Sequence, residues 1–219
     1  MKQRYARDKI RFFINIAHDI RTSLTLIKNP IDEIDKDKGL SEKSHYYLHM
    51  AKEQSKKLSL VATQLLDFQK IETGNEHLSL TMADVVWLVR QQVKLYGASA
   101  EEKQINLNFV SNQETYFTAI DEQKIEKVIE NLLSNAIKYS HNGSKVDINL
   151  LCEPKGWKLS VQDYGIGISK NEINSLFREF YRGENAINLK IIGSGIGLLL
   201  IRDYVTTVSY THLTLPTKA

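Results

Sequence analysis

The chain has 219 residues, 42% of them hydrophobic and 25% charged, with a formal net charge of +3. That is an ordinary globular composition, sufficient for one domain or two small ones, and so small a charge gives no electrostatic argument for a nucleic-acid partner. The single cysteine, Cys152, excludes an internal disulfide and fits a reducing compartment; no apolar run reaches the ~18 residues needed to span a membrane, and the basic start MKQRYARDKIRFF lacks the apolar core of a signal peptide.

The first expected element is a helix from about residue 3 to about residue 35. At about 100° per residue, Phe13, Ile16, Ile20, Leu24, Ile27, Ile31 and Ile34 fall on one stripe with gaps of three and four, a packing seam. Pro30 lies inside it, where it would kink the helix or end it early. His18 projects away from the seam, with Asp19 beside it and Thr22 one turn later on the same face. Taken alone, that is a surface histidine in a solvated charge cluster. DKDKGLSEK reads as a polar turn at Gly39, and Ser41 as the cap of a second helix ending near Thr73. Tyr47, Ala51, Gln54, Leu58, Val61, Leu65 and Phe68 make a second seam on it. Two such helices form a hairpin, and covering both seams calls for a second copy in a four-helix bundle.

TGNEH marks a boundary, after which the pattern becomes mixed α and β. HLSLTM reads as a short strand, ADVVWLVRQQVKLYGASAEEK as a helix, and INLNFV and TYFTAI as alternating strands. DEQKIEKVIENLLSNAIKYS is an amphipathic helix with Ile125, Val128, Ile129, Leu132, Leu133 and Ile137 on one face. KVDINLLCE and WKLSVQDYG form a hairpin through PKG, with Cys152 packed rather than reactive. Short helices, a glycine-bearing segment and a final helix from about Leu198 follow.

Three features carry chemistry. Asn131 and Asn135 stand four apart on the long helix, so both amides share a face; amide oxygens are hard neutral ligands suited to Mg²⁺ on nucleotide phosphates. Lys138 and Tyr139 follow one turn later, the lysine as a point charge for phosphate. In DYGIGIS, Asp163 closes a strand where a carboxylate can accept a hydrogen bond from an exocyclic amine such as that of adenine, and Gly165 and Gly167 let backbone approach a flat ligand. In GSGIGLLLI, Gly193, Gly195 and Gly197 precede a helix whose N–H groups favour phosphate. This is neither a Walker A loop nor the dinucleotide fingerprint. Singly, each motif reads more readily as a cap, an exposed amide pair or a plain glycine turn.

In this order, with AHDIRTSL upstream and LFREFYR between the glycine segments, they resemble the sensor histidine kinases of two-component signalling over roughly residues 5 to 205. FINIAHDIRTSL resembles the family's phosphoacceptor box, ENLLSNAIKYS its N box, DYGIGI and GSGIGL its G boxes, and LFREFYR its F box. NIAHDIRTSLTLIKNPIDEI is most similar to hybrid sensors of Bacteroides-type bacteria. The resemblance implies an α+β chain: a phosphoacceptor hairpin at 1–74, dimerising as a four-helix bundle, then an α/β-sandwich ATP-binding domain of GHKL (Bergerat) type at 75–206, with an atypical tail at 207–219. His18 would take the γ-phosphoryl group of ATP, Asp19 would orient the ring or take its proton, and Thr22 would help place water for dephosphorylation of the response regulator. Asn135 would hold Mg²⁺ with Asn131 close by; Lys138 and Tyr139 would contact phosphates and Asp163 the adenine amine. Gly165, Gly167, Gly193, Gly195 and Gly197 would shape the pocket and its lid, with Arg182 and Arg178 as further phosphate contacts. The implied partners are a second copy and a response-regulator receiver domain, with no nucleic acid. The implied location is the cytoplasmic side of an inner-membrane-anchored bacterial sensor, the membrane being reached only through a parent chain.

Two departures stand out. Ser23 occupies a position where the family usually has proline, which would leave the helix straighter and shift the balance of kinase and phosphatase activity. The ending TTVSYTHLTLPTKA lacks the family's closing glycine-rich hairpin, as a truncated or foreign tail would, and would leave a sheet edge unpaired. Two alternatives stay open: a non-catalytic dimerising module, and an ATPase of the gyrase and chaperone superfamily. Against the second, Asn131 stands where those ATPases place a water-activating glutamate.

Overall fold

The computed structural model describes residues 20, 24–32, 34–35, 39–72, 78–178, 181–189 and 195–207. The chain divides into two compact units, Met1–Glu76 and His77–Ala219.

In the first unit, α1 is helical across residues 24–32 and α2 spans Glu42–Glu72. Pro30 neither ends α1 nor blocks the next turn: the Asp35 N–H still donates to Ile31 O at 3.0 Å. Ser41 caps α2 as expected, its Oγ accepting from the Ser44 N–H at 3.2 Å. Next to the turn, Lys52 Nζ donates to Asp35 Oδ2 at 2.5 Å and stands 3.3 Å from Asp32 Oδ1, joining the two helices. The buried stripe differs from the expected one. Leu24 is buried, Ile20 and Ile31 are half-buried, and Ile27 and Ile34 are exposed; Phe13 and Ile16 lie outside the described residues. On α2 Ser55, Ala62 and Asp67 are buried and Leu48, Ser59 and Leu66 partly covered; of the expected seam Tyr47, Gln54 and Leu58 are exposed and Ala51 and Val61 only partly covered, while the Leu65 and Phe68 side chains lie outside those described. That is a rotation of about 100°, one residue. The two neighbouring stripes of α2 share the same gaps of three and four. The hairpin covers the one whose middle is small, at Ser55, Ser59 and Ala62, and leaves the bulkier one outward.

The second unit begins with β1 (Thr81–Asp84), later than the expected strand because Leu78–Leu80 are not in it. Asp84 ends β1 and caps α3 (Val85–Glu101), accepting from the Val86 N–H and, at 2.9 Å, from the Tyr116 N–H. Then follow β2 (Asn106–Ser111), β3 (Phe117–Ile120), α4 (Glu122–Tyr139), β4 (Lys145–Glu153), β5 (Gly156–Asp163), a 3₁₀ turn (Ile173–Ser175), α5 (Glu184–Asn188) and α6 (Gly197–Thr207). β1 and β3 pair antiparallel, with Met82 opposite Ala119. The larger sheet has the order β2-β4-β5: β2 and β4 run parallel, β4 and β5 antiparallel with Leu150 opposite Leu159. Among the described residues β5 is an edge. β4 alternates as its sequence suggests, with Val146, Ile148, Leu150 and Cys152 buried, and burial pushes the Cys152 thiol up.

Helix α4 packs on that apolar face and on α3 and α6. Ile125, Val128, Ile129, Leu133 and Ile137 are buried as expected; Leu132 is half-buried. Its cap, Asp121, accepts from the Lys124 N–H at 3.2 Å, the Ser79 N–H at 3.0 Å and the Lys124 ammonium at 3.2 Å. Burial pushes the Asp121 carboxyl up, but these donors outweigh it and hold it below its ordinary value. A buried charge is thus matched by three donors, one of them a backbone N–H that would otherwise be orphaned at the helix start.

Candidate functional site

Everything expected of the long helix depends on its last three turns. Asn131 and Asn135 are half-buried on one side of α4. Asn131 donates its Nδ2 to Lys127 O at 2.8 Å, which leaves Oδ1 turned towards Gly197 at the start of α6. A Cβ at Gly197 would stand 2.9 Å from that oxygen and 3.8 Å from Asn135 Nδ2. The glycine therefore lets the start of α6 come down on the two amides.

The far end of α4 meets the turn after β5. Ser140 bridges to Gly165, the Ile166 N–H donates to Tyr139 O at 3.1 Å, and the His141 N–H reaches Tyr164 O at 3.4 Å. A Cβ on Gly165 would fall 1.9 Å from Tyr139 O, so no other residue fits without moving backbone. Gly167 and Gly195 adopt φ of +66° and +73°, the left-handed region that favours glycine. Asp163 is the last residue of β5, opposite Val146. Its side chain opens to solvent, yet the protein around it raises the carboxyl pKa, opposed by the Gly165 N–H. Lys138 Nζ lies 4.7 Å from the centroid of the Tyr139 ring.

Further ties surround this cluster. Lys103 Nζ donates to Ile137 O at 3.0 Å and Lys138 O at 2.9 Å, placing a cation at the C-terminus of α4. Glu172 accepts from Ser169 Oγ at 2.6 Å, the Glu184 N–H at 2.7 Å and the Tyr181 hydroxyl at 2.9 Å. Those three donors, in that order Ser169, Glu184, Tyr181, hold its carboxyl down at about 2. Asn185 Nδ2 reaches Ile166 O at 3.4 Å, so α5 is fastened to the glycine turn.

The fold thus brings together Asn131, Asn135 and Gly197 at one end, and Tyr139, Asp163 and Gly165 at the other end of the same two helical turns. Arg182 is half-buried beside Gly183, the cap of α5. Arg178 is exposed, its N–H closing a turn to Ser175 O. His18, Asp19, Thr22 and Gly193 lie outside the described residues, as does the tail from residue 208. Lys103, Glu172 and Asn185 went unnoticed in the sequence, because each has at least one backbone partner distant in the chain and carries no periodic or motif signal.

Two family models match in tandem. Residues 8–74 match the His Kinase A (phospho-acceptor) domain, and residues 120–218 match the histidine kinase-, DNA gyrase B-, and HSP90-like ATPase. The chain belongs to the histidine kinases. Among relatives, hybrid signal transduction histidine kinase D of Dictyostelium discoideum is 29% identical over 90% of this chain and 13% of its own length. Sensor protein kinase WalK of Staphylococcus aureus is 24% identical over 93% of this chain and 49% of its own. The chain therefore spans about half or less of the length of these relatives. Of solved structures, full-length ShkA in complex with AMPPNP aligns over 90% of this chain and 40% of its own at 21% identity, with a TM-score of 0.72. Histidine kinase ThkA in complex with response regulator protein TrrA aligns over 87% of this chain and 57% of its own at 23% identity, with a TM-score of 0.56. These likenesses bear out the fold class: a helical phosphoacceptor region followed by an α/β ATPase-type domain. No helix among the described residues is long and apolar enough to cross a membrane.

Proposed function

We propose that this chain is the ATP-dependent core of a sensor histidine kinase, built as a phosphoacceptor hairpin (1–74) and an ATP-binding domain (75–206), and that it phosphorylates itself on His18. The observation that carries this reading is the convergence of Asn131, Asn135 and Gly197 at one end of a short stretch of α4, and of Tyr139, Gly165 and Asp163 at the other, in a chain with a phosphoacceptor domain upstream. That stretch, Asn131 to Tyr139, covers about 12 Å at 1.5 Å per residue, close to the span of a nucleotide from base to phosphates.

In this reading Asp163 accepts a hydrogen bond from the adenine amine. Gly165 and Gly167 give the base room against the backbone, and Gly193, Gly195 and Gly197 present N–H groups to the phosphates. Lys138 adds a point charge, with Tyr139 and Arg182 as further phosphate contacts. Among the described residues no cluster of His, Cys, Asp or Glu could fix a metal ion. The amide oxygens of Asn135 and its neighbour Asn131 fit instead a cation carried in by the phosphates. When bound there, Mg²⁺ would neutralise phosphate charge. A ring nitrogen of His18 attacks the γ-phosphorus, the bond to the β,γ-bridging oxygen breaks, ADP leaves, and the ring proton passes to Asp19. The phosphoryl group then moves to an aspartate of a response-regulator receiver domain, and Thr22 assists its later hydrolysis. The exposed apolar residues Leu26, Ile27, Tyr47 and Leu58 on the hairpin support a homodimer.

Incubation with γ-labelled ATP and Mg²⁺ tests the reading. Acid-labile, base-stable label on the parent and none on His18→Gln is the expected result. Label that persists in the variant, or label on neither with ATP bound normally, overturns it.

A further inference from the structure

The turn that carries Asp163 is held from both faces of its sheet. On the helix face it is fastened to the end of α4 through Tyr139, Ser140 and Gly165. On the open face, Tyr164, the residue between Asp163 and Gly165, donates its hydroxyl to Asp147 Oδ2 at 2.9 Å. Asp147 sits on β4 opposite Gln162, one position from the Val146–Asp163 pair. The same carboxylate takes the Lys145 ammonium at 2.8 Å and, through Oδ1, the Asn108 amide of β2 at 3.2 Å. Lys145 Nζ also stands 4.9 Å from the centroid of the Tyr164 ring. A polar network that runs from β2 across β4 therefore ends on one side chain of the turn after β5.

Side chains alternate across a strand. Val146 and Ile148 mark the helix face of β4, so Asp147 lies on the open face with the Tyr164 ring. Val161, packed against the core, puts Asp163 on the helix side. A side chain clamped on one face sets the peptide planes that aim its neighbour on the other. The clamp adds a hydroxyl bonded to a charged acceptor to the backbone bonds that share the task, Ile166 N–H to Tyr139 O at 3.1 Å and the long His141 N–H to Tyr164 O at 3.4 Å.

We propose that Asp147 and Tyr164 are positioning residues for Asp163, and that together they set how strictly the site reads the amine of a 6-aminopurine. The proposal rests on the reading of Asp163 as the adenine acceptor. Its test compares ADP with the analogue bearing hydrogen in place of the 6-amine. Binding to the whole chain is measured by calorimetry for the parent, Tyr164→Phe, Asp147→Ala, the double variant and Asp163→Asn. Tyr164→Phe is expected to weaken ADP by about three- to tenfold while leaving the analogue and the melting temperature unchanged. The double variant is expected to be no worse than the weaker single, because both remove one tether. Equal weakening of both nucleotides, or no effect in variants whose Asp163→Asn counterpart does lose discrimination, overturns the proposal. If Asp163→Asn itself discriminates as the parent does, the adenine reading fails and the proposal falls with it.

Discussion

Glycines of the site differ in what a methyl group would strike, and this separates folding from binding. At Gly165 the obstacle is the carbonyl of Tyr139, 1.9 Å from the added Cβ, which is backbone at a helix end. Gly165→Ala is expected to cost at least ~1–3 kcal/mol, as overpacking does, with the denaturant midpoint falling and the slope unchanged. At Gly197 the obstacle is the tip of the Asn131 side chain at 2.9 Å, which can swing away. Alanine also suits a helix better than glycine. Gly197→Ala is therefore expected to melt like the parent and to bind nucleotide more weakly, because the displaced amide is part of the proposed phosphate end. A calorimetric titration beside a melting curve on both variants checks the contrast; equal loss of stability in the two would refute it.

Short elements depend on side chains rather than on their own hydrogen bonds. α5 is only five residues, too short to be stable alone. Glu172 and Asn185 fasten it to the 169–172 segment and to the glycine turn. The Glu172 carboxyl lies at about 2, below its ordinary 4.5. A carboxylate so depressed contributes stability that is complete above about pH 4.5 and lost as pH falls from there towards 2. Hydrogen exchange at the α5 amides is expected to show protection at pH 6 that fades below pH 4.5. In Glu172→Leu, protection should already be weak at pH 6 and change little with acid. Parallel pH profiles in parent and variant would count against the tie.

The whole molecule has apolar surface that its own chain does not cover. Tyr47 and Leu58 on α2 and Leu26 and Ile27 on α1 remain exposed while Ser55 and Ala62 are buried. One hairpin can bury one stripe of α2, and the stripe it buries is the one with the small residues, so the bulkier apolar side chains are left for a second copy to cover. Light scattering on the chain is expected to give a dimer. Leu58→Glu should shift it to monomer at equal concentration, leaving nucleotide binding by the second unit unchanged; a parent that is monomeric at tens of micromolar would end the proposal of a four-helix bundle.

Much of the molecule was legible from local pattern. The α4 face, the alternation of β4, the Ser41 cap and the glycine and asparagine motifs follow from period and from residue chemistry that each position carries by itself. Other features needed the tertiary structure. Which stripe of α2 is buried is decided by the partner helix: neighbouring stripes satisfy the same period, and hydrophobicity alone favours the one that the hairpin leaves exposed. Where β1 begins is decided by β3, and Asp84 is claimed by the α3 cap. The network from Asn108 and Lys145 through Asp147 to Tyr164 joins residues on β2, β4 and the turn after β5, and no spacing along the chain records it. Periodicity is a property of neighbours in sequence, so it determines elements and their faces. A site is a property of neighbours in space: the end of α4 became one only when the turn after β5 and the start of α6 were folded onto it, at the two glycines where a side chain would have kept them apart.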